Sequence, residues 1–273
     1  MFYDVKDSVV LCSATLRVGN DFKYMARRLG CAGGDAAAGH GQDGARFRFL
    51  TAASPFDYFR QALVLAPDCL PDPSSQPVPY AESLALLVRD LFSVTRGRAL
   101  VLFTSYEMMN AVAAHAHELL ANVGIRLLVQ GEGLSRESLT RHLKEDENTV
   151  VFGAQSFWEG VDVPGEALSC VVLARLPFPQ VGEPIVEARC DKIKENGGTA
   201  FRDFMLPEAL IRFRQGFGRL VRTKRDRGVV VVADSRIVTK NYGALFRRAI
   251  PASVHGVATL DELLGRVAAF MEM

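Results

Sequence analysis

The sequence predicts a doubly wound α/β fold, a mostly parallel sheet with helices on both faces. Two observations point there. Runs such as Thr149–Ala154 (TVVFGA) and Gly228–Asp234 (GVVVVAD) are apolar apart from one polar residue at an end, which marks strands buried on both faces. Between such runs lie segments with apolar residues three and four apart, the spacing of amphipathic helices. That alternation builds helices over a parallel sheet.

Taken in order, Ser8–Cys12 (SVVLC) is a short β-rich run. Asp21–Leu29 follows as a helix, with Asn20 or Asp21 as N-cap and Gly30 as its stop. Cys31–Gly44 (CAGGDAAAGHGQDG) is a small-residue loop. It is not a phosphate-binding P-loop, because no Gly-Lys-Ser/Thr follows and no helix begins there. Gln61–Pro67 is a strand, and Pro67–Pro79 a proline-rich connector. Helices are expected near Tyr80–Thr95 and at Tyr106–Asn122, Arg136–Lys144, Glu183–Glu195 and Leu206–Arg222, then from about Lys240 to Ala249 and at Leu260–Phe270. Strands are expected at Ala99–Ser105, Ile125–Val129, Thr149–Ala154, Ser169–Leu176 and Gly228–Asp234.

The helix Leu206–Arg222 is the most pronounced. At about 100° per residue, Leu206, Leu210, Phe213, Phe217 and Leu220 fall on one side. Glu208, Arg212, Gln215, Gly218, Arg219 and Arg222 fall on the other, and Gly228 is a plausible stop. Gly216 and Gly218 each cost about 1 kcal/mol against alanine inside a helix. Close approach by another chain or a ligand would offset that cost, whereas a solvated face would not.

Composition bounds the function classes. With 273 residues, 49% hydrophobic and 23% charged, the chain is of ordinary globular type, as one large domain or two small ones. A net charge of +1 gives no bulk attraction to nucleic acid, yet Arg202, Arg212, Arg214, Arg219, Arg222, Lys224, Arg225 and Arg227 crowd a short stretch. Five cysteines without CxxC spacing exclude a zinc or iron–sulfur site built from this chain alone. His115 and His117 point to different faces of a helix and make poor joint ligands. There is no signal-peptide pattern and no apolar run of the ~20 residues that span a bilayer, so a soluble, cytoplasmic protein without a membrane partner is expected.

In open sheets of this kind ligands bind beyond the carboxyl ends of the strands. After Ala99–Phe103, Thr104 and Ser105 offer hydroxyls at a helix N-terminus, suited to a phosphate or simply to capping. Gln130 follows the next strand and can reach a backbone or a base. Gln155–Gly165 (QSFWEGVDVPG) holds the only Trp and the acids Glu159 and Asp162, placed to reach ribose hydroxyls or to receive arginines. Trp158 can equally pack at a core edge. Gln215, Arg219 and Arg222 share one helix face, and two arginines a turn apart suit bidentate contact with a polyphosphate. The residues alone therefore point to a phosphate-handling α/β domain.

Four ordered segments resemble motifs III to VI of superfamily 2 helicases. They are SATL (Ser13–Leu16), VLFTSY (Val101–Tyr106), GAQSFWEGVDVPG (Gly153–Gly165) and QGFGRLVR (Gln215–Arg222). The wording is that of the DinG/XPD branch, whose motif VI reads Gln-x-x-Gly-Arg-x-x-Arg, matched here at Gln215, Gly218, Arg219 and Arg222. The resemblance implies a RecA-like second motor domain of an ATP-dependent DNA helicase. It implies that residues 1–66 carry the motif III strand and linker from the end of a first motor domain, with 67–273 forming the second.

Arg219 and Arg222 would act, by resemblance, as arginine fingers toward ATP held with Mg by the first motor domain, with Gln215 near the nucleotide or its attacking water. Glu159, Gly160, Asp162 and Gly218 would line the nucleotide side. Thr104, Ser105, Tyr106, Gln130, Gln155 and Ser156 would grip single-stranded DNA. Ser13 and Thr15 would couple hydrolysis to strand movement. Walker A, the Asp-Glu-Ala-His box and the family's iron–sulfur cysteines belong to the other motor domain and do not occur here. The chain alone is thus expected to be inactive, and the intact protein to move 5′ to 3′. The competing expectation is a non-enzymatic single-strand-binding module with a helicase-like fold.

Overall fold

The computed structural model describes residues 5–19, 21–31, 47–158, 163 and 167–272. The chain forms two compact units, Met1–Ala53 and Ser54–Met273.

In the first unit, helix α1 (Lys23–Leu29) ends at Gly30, whose left-handed φ of 71° lets its N–H reach the last helical carbonyls. The helix starts at Lys23 with Phe22, not Asp21, at the N-cap position and no side-chain cap. Asp21 Oδ1 only accepts the Lys23 N–H at 3.0 Å from one residue further out, while Asn20 lies outside the described residues. The Phe22 and Phe49 rings stack at 5.2 Å. Ser8–Cys12, expected as a strand, is irregular and exposed. Apolar β-branched residues do not make a strand without a hydrogen-bonded neighbour, and the bridge recorded in this unit joins Val18 to Asp21.

The second unit holds one parallel sheet of seven strands: β1 (Ala62–Pro67), β2 (Ala99–Phe103), β3 (Arg126–Val129), β4 (Thr149–Ala154), β5 (Cys170–Leu173), β6 (Gly228–Val232) and β7 (Val254–Val257). Their order is β3-β4-β2-β5-β6-β1-β7. Central strands β2, β4, β5 and β6 are buried at every position, as their unbroken apolar runs require. Successive residues face opposite sides. Val101, Phe103, Phe152, Val172 and Val231 meet α3 (Pro77–Thr95), α4 (Tyr106–Ala121) and α10 (Leu260–Glu272) through Leu84, Val112 and Leu263. The opposite face receives α7 (Leu206–Phe217), which packs on β5. The remaining helices are α2 (Tyr58–Gln61), α5 (Arg136–Glu145), α6 (Pro184–Glu195), α8 (Arg236–Thr239) and α9 (Gly243–Ala249).

Three sequence expectations change. The helix expected from about Lys240 begins only at Gly243 (α9), a separate short helix, α8, ends before it at Thr239, and β7 was not foreseen. β7 is an edge strand with two exposed residues, so it has no apolar run to show. Most consequential, α7 stops at Phe217, with Gly218 as C-cap at φ −65°. Residues 218–220 turn, and Gly228 is the first residue of β6 and not a helix stop.

Candidate functional site

Loops leaving the carboxyl ends of β2, β4 and β5 surround one cavity of about 350 Å³, lined in part by Thr104, Gln155, Ser156, Trp158, Gln180 and Arg212. Gln155 sits at φ 31°, a left-handed conformation uncommon for a side-chain-bearing residue. It opens a short 3₁₀ turn, Gln155–Phe157, that swings the chain across the strand ends.

Gln130 organises the neighbouring loops. Its Oε1 accepts the Ala154 N–H at 2.8 Å. Its Nε2 donates to the Tyr106 hydroxyl at 2.7 Å and to Ser156 Oγ at 3.1 Å. Tyr106, Gln130 and Ser156 are therefore brought together, with both amide hydrogens of Gln130 engaged. Of these three, Ser156 lines the cavity wall, together with Thr104 and Gln155. Ser105 does a different job: its hydroxyl accepts the Met108 N–H at 3.3 Å and caps α4.

Trp158 is buried, and its indole N–H donates to the Phe103 carbonyl at 2.7 Å. It also explains Gly216. A Cβ there would lie 2.8 Å from Trp158 Cζ3 and 3.0 Å from Leu173 Cδ2. The close approach that Gly216 permits is thus with this chain's own core, not with a ligand. Gly218 differs, because its Cβ would meet only the Arg214 and Gln215 carbonyls, at 3.3 and 3.5 Å.

Arg219 and Arg222 do not lie on a helix face. Beyond α7, Arg219 Nη2 donates to the Trp158 carbonyl at 2.6 Å, which ties the arginine segment to the end of the 3₁₀ turn. The next residues fold around Asp226. Its carboxylate accepts the N–H groups of Arg222 and Thr223, each at 2.8 Å, and the Thr223 hydroxyl at 2.5 Å. Burial alone would raise the Asp226 carboxyl, but these hydrogen bonds, the Thr223 hydroxyl first, hold it below its ordinary value. From the far side Gln61 Nε2 donates to the Thr223 and Asp226 carbonyls at 2.8 and 2.9 Å. Gln215 Oε1 is buried and finds no hydrogen-bond partner among the described residues. Glu159, Gly160 and Asp162 lie outside the described residues.

In the first unit Ser13 Oγ accepts the Thr15 N–H at 3.2 Å in a local turn. Among the described residues no group of three His, Cys, Asp or Glu side chains could hold a metal ion. No helix there is long and apolar enough to cross a membrane.

Sequence reasoning missed four contributors. Gln180 donates to the Thr104 carbonyl and braces the cavity. Its loop is anchored by Asp234, fully buried, whose Oδ2 accepts the Leu176 N–H at 2.8 Å and the Arg236 guanidinium at 2.6 Å. Asp226 and Gln61 fix the arginine segment. Gln61 acts across more than 160 residues, which a sequence motif cannot display.

A family model described as a helicase C-terminal domain matches residues 88–253, more than half of the chain and nearly every loop of this site. The chain belongs to the helicase C-terminal domain family. Within that family it is DinG- and XPD-like. It is 37% identical over 244 residues to the ATP-dependent DNA helicase YoaA of Haemophilus influenzae, covering 89% of this chain and 35% of that protein. It is 35% identical over 269 residues to the 3'-5' exonuclease DinG of Bacillus subtilis, covering 98% of this chain and 28% of that protein. The chain thus spans about a third of the length of these relatives. Among solved structures, S. tokodaii Xpd4 matches with TM-score 0.56 at 17% identity, over 78% of this chain and 41% of that one. An XPD helicase structure matches at 0.53 and 19%, over 72% and 36%. These likenesses establish the RecA-like helicase fold.

Proposed function

We propose that this helicase C-terminal domain is the second motor lobe of an ATP-dependent DNA helicase. It holds single-stranded DNA at the carboxyl ends of β2 and β4 and moves along it 5′ to 3′. It presents Arg219 and Arg222 to a nucleotide bound chiefly by another lobe, in a cytoplasmic protein. One observation supports this most: the short turn Gln155–Trp158 serves both sides. Ser156, at its start, is bonded to Gln130 beside Tyr106. The Trp158 carbonyl, at its end, accepts Arg219. A change at the nucleotide would shift the strand contacts through three residues.

ATP with Mg would supply the phosphoryl group and its charge. Gln215, whose buried oxygen finds no partner among the described residues, would hold a donor on the nucleotide or its water. Arg219 and Arg222 would neutralise charge on the transferred group, an effect worth about 10³–10⁵ in rate when an arginine finger is in place. Asp226 would hold the Arg222 backbone at the required place. On the strand side Tyr106 would stack a base and the Thr104 and Ser156 hydroxyls would meet phosphates, contacts that need no sequence readout.

The test is fluorescence anisotropy of this chain with a labelled single strand. Tyr106→Ala should weaken binding by about fivefold or more, the lower end of what one stacked base contributes. Unchanged affinity in Tyr106→Ala and Gln130→Ala would overturn the strand assignment. Tight binding by this chain at physiological salt would favour a stand-alone binding module over half of a two-lobe clamp.

A further inference from the structure

The basic run Lys224, Arg225 and Arg227 belongs to neither side of the site just described. It lines a separate open groove of about 710 Å³ with Asp57, Phe59, Arg60 and Phe270. Arg60 precedes β1 and Lys224–Arg227 precede β6, so the groove lies at the amino ends of the parallel strands. The cavity at Thr104 and Ser156 lies at their carboxyl ends.

Three features make this groove a receptor for a polyanion. First, the charge is segregated. Of the charged residues lining it four are basic and one is acidic. The acid of the basic run itself, Asp226, is turned inward onto the Arg222 and Thr223 amides, so it does not cancel its neighbours. Asp57 meets Arg60 only as a loose pair at 3.7 Å between exposed side chains, a contact too weak to neutralise the patch. Lys224 and Arg225 are exposed, and among the described residues neither makes an ion pair.

Second, the walls are held in place. Gln61 joins α2 to the Thr223–Asp226 turn. Arg227 lies 4.7 Å over the Phe270 ring and donates to the Arg60 and Phe270 carbonyls. Third, Phe59 stands 80% exposed beside these cations. An aromatic ring bare to solvent among ammonium and guanidinium groups suits stacked bases with phosphates alongside. An acidic peptide would use the cations and leave the ring without a flat partner.

We propose that this groove binds single-stranded nucleic acid, as a second contact at the end of the sheet opposite the cavity. Anisotropy with a labelled oligothymidine of about 16 nucleotides, read across a salt series on the whole 273-residue chain, tests it. Lys224→Ala/Arg225→Ala should lower the slope of log affinity against log salt by about 1.4, two phosphate contacts at ~0.7 each. Phe59→Ala should weaken binding about fivefold or more with the slope kept. All three side chains are exposed, and unchanged melting temperatures confirm intact folding.

Retained slope and affinity in both variants would overturn the proposal. So would a polyglutamate competitor of equal charge displacing the strand as well as unlabelled oligothymidine does, which would assign the groove to acidic polypeptide. The two nucleic-acid sites separate cleanly. Loss in Tyr106→Ala with none in the groove variants sinks this proposal alone, and the reverse pattern sinks the strand assignment at the carboxyl ends alone.

Discussion

Adding one methyl group at Gly216 drives it into the Trp158 ring. The new Cβ would sit 2.8 Å from Cζ3 and 3.0 Å from Leu173 Cδ2, well inside the 3.5–4.0 Å optimum for carbon pairs. Neither neighbour yields easily. Leu173 closes the fully buried β5, and Trp158 is buried with its indole N–H on the Phe103 carbonyl at 2.7 Å. Overpacking of this kind costs about 1–3 kcal/mol. Moving the ring enough to break its buried hydrogen bond adds about 1–3 kcal/mol. Alanine returns about 1 kcal/mol of helix propensity, so Gly216→Ala should destabilise by about 1–5 kcal/mol. Urea unfolding followed by tryptophan fluorescence reads this directly, since Trp158 is the only Trp. Gly218→Ala is the internal control: its Cβ has only helix carbonyls at 3.3 and 3.5 Å nearby and should shift stability by no more than about 0.5 kcal/mol. Equal stability of Gly216→Ala and Gly218→Ala would refute the packing argument.

Asp226→Asn weakens three hydrogen bonds to a carboxylate and should cost about 1–3 kcal/mol at neutral pH. Because the folded carboxyl is held below its ordinary value, its contribution is present above the normal carboxylate range and lost as pH falls through the folded value. Unfolding free energy of the parent should therefore drop in acid more steeply than that of Asp226→Asn. Arg236→Ala strands the fully buried Asp234 carboxylate and should cost about 3–5 kcal/mol in the same unfolding assay. Gln61→Ala leaves the Thr223 and Asp226 carbonyls without donors. It should speed hydrogen exchange across 222–226 while β4, remote from it, keeps its protection.

Regular elements were legible wherever burial dictated composition. Thr149–Ala154 must be apolar on both faces to sit mid-sheet, and its strand has the bounds its sequence indicates. β7 has exposed residues and an edge position, so its composition carries no such mark. The helix carrying the arginines was read too long because Leu220 continues the apolar spacing of Phe213 and Phe217. The chain instead leaves the helix at Gly218 through a turn over 218–220, and the next turn, around Asp226, is secured by Gln61 from before β1. Glycine in the helix signalled close approach correctly, yet nothing in the sequence distinguished Trp158 from a ligand as the neighbour. Tyr106, Gln130 and Ser156, singled out after β2, β3 and β4, share one hydrogen-bond network. That Gln130 spends its amide on the network and Ser105 its hydroxyl on a cap depended on three-dimensional placement.

The central claim is that Arg219 and Arg222 complete a nucleotide site whose other half lies on a separate lobe. ATP turnover measured for this chain alone, and for the chain fused behind a Walker A-carrying lobe of a relative, tests it most directly when each is paired with Arg222→Ala. The expected result is no turnover alone, turnover in the fusion, and a fall there of about 10³ or more in Arg222→Ala with single-strand binding kept. Turnover by the chain alone that Arg222→Ala abolishes, or fusion turnover indifferent to that substitution, would contradict it.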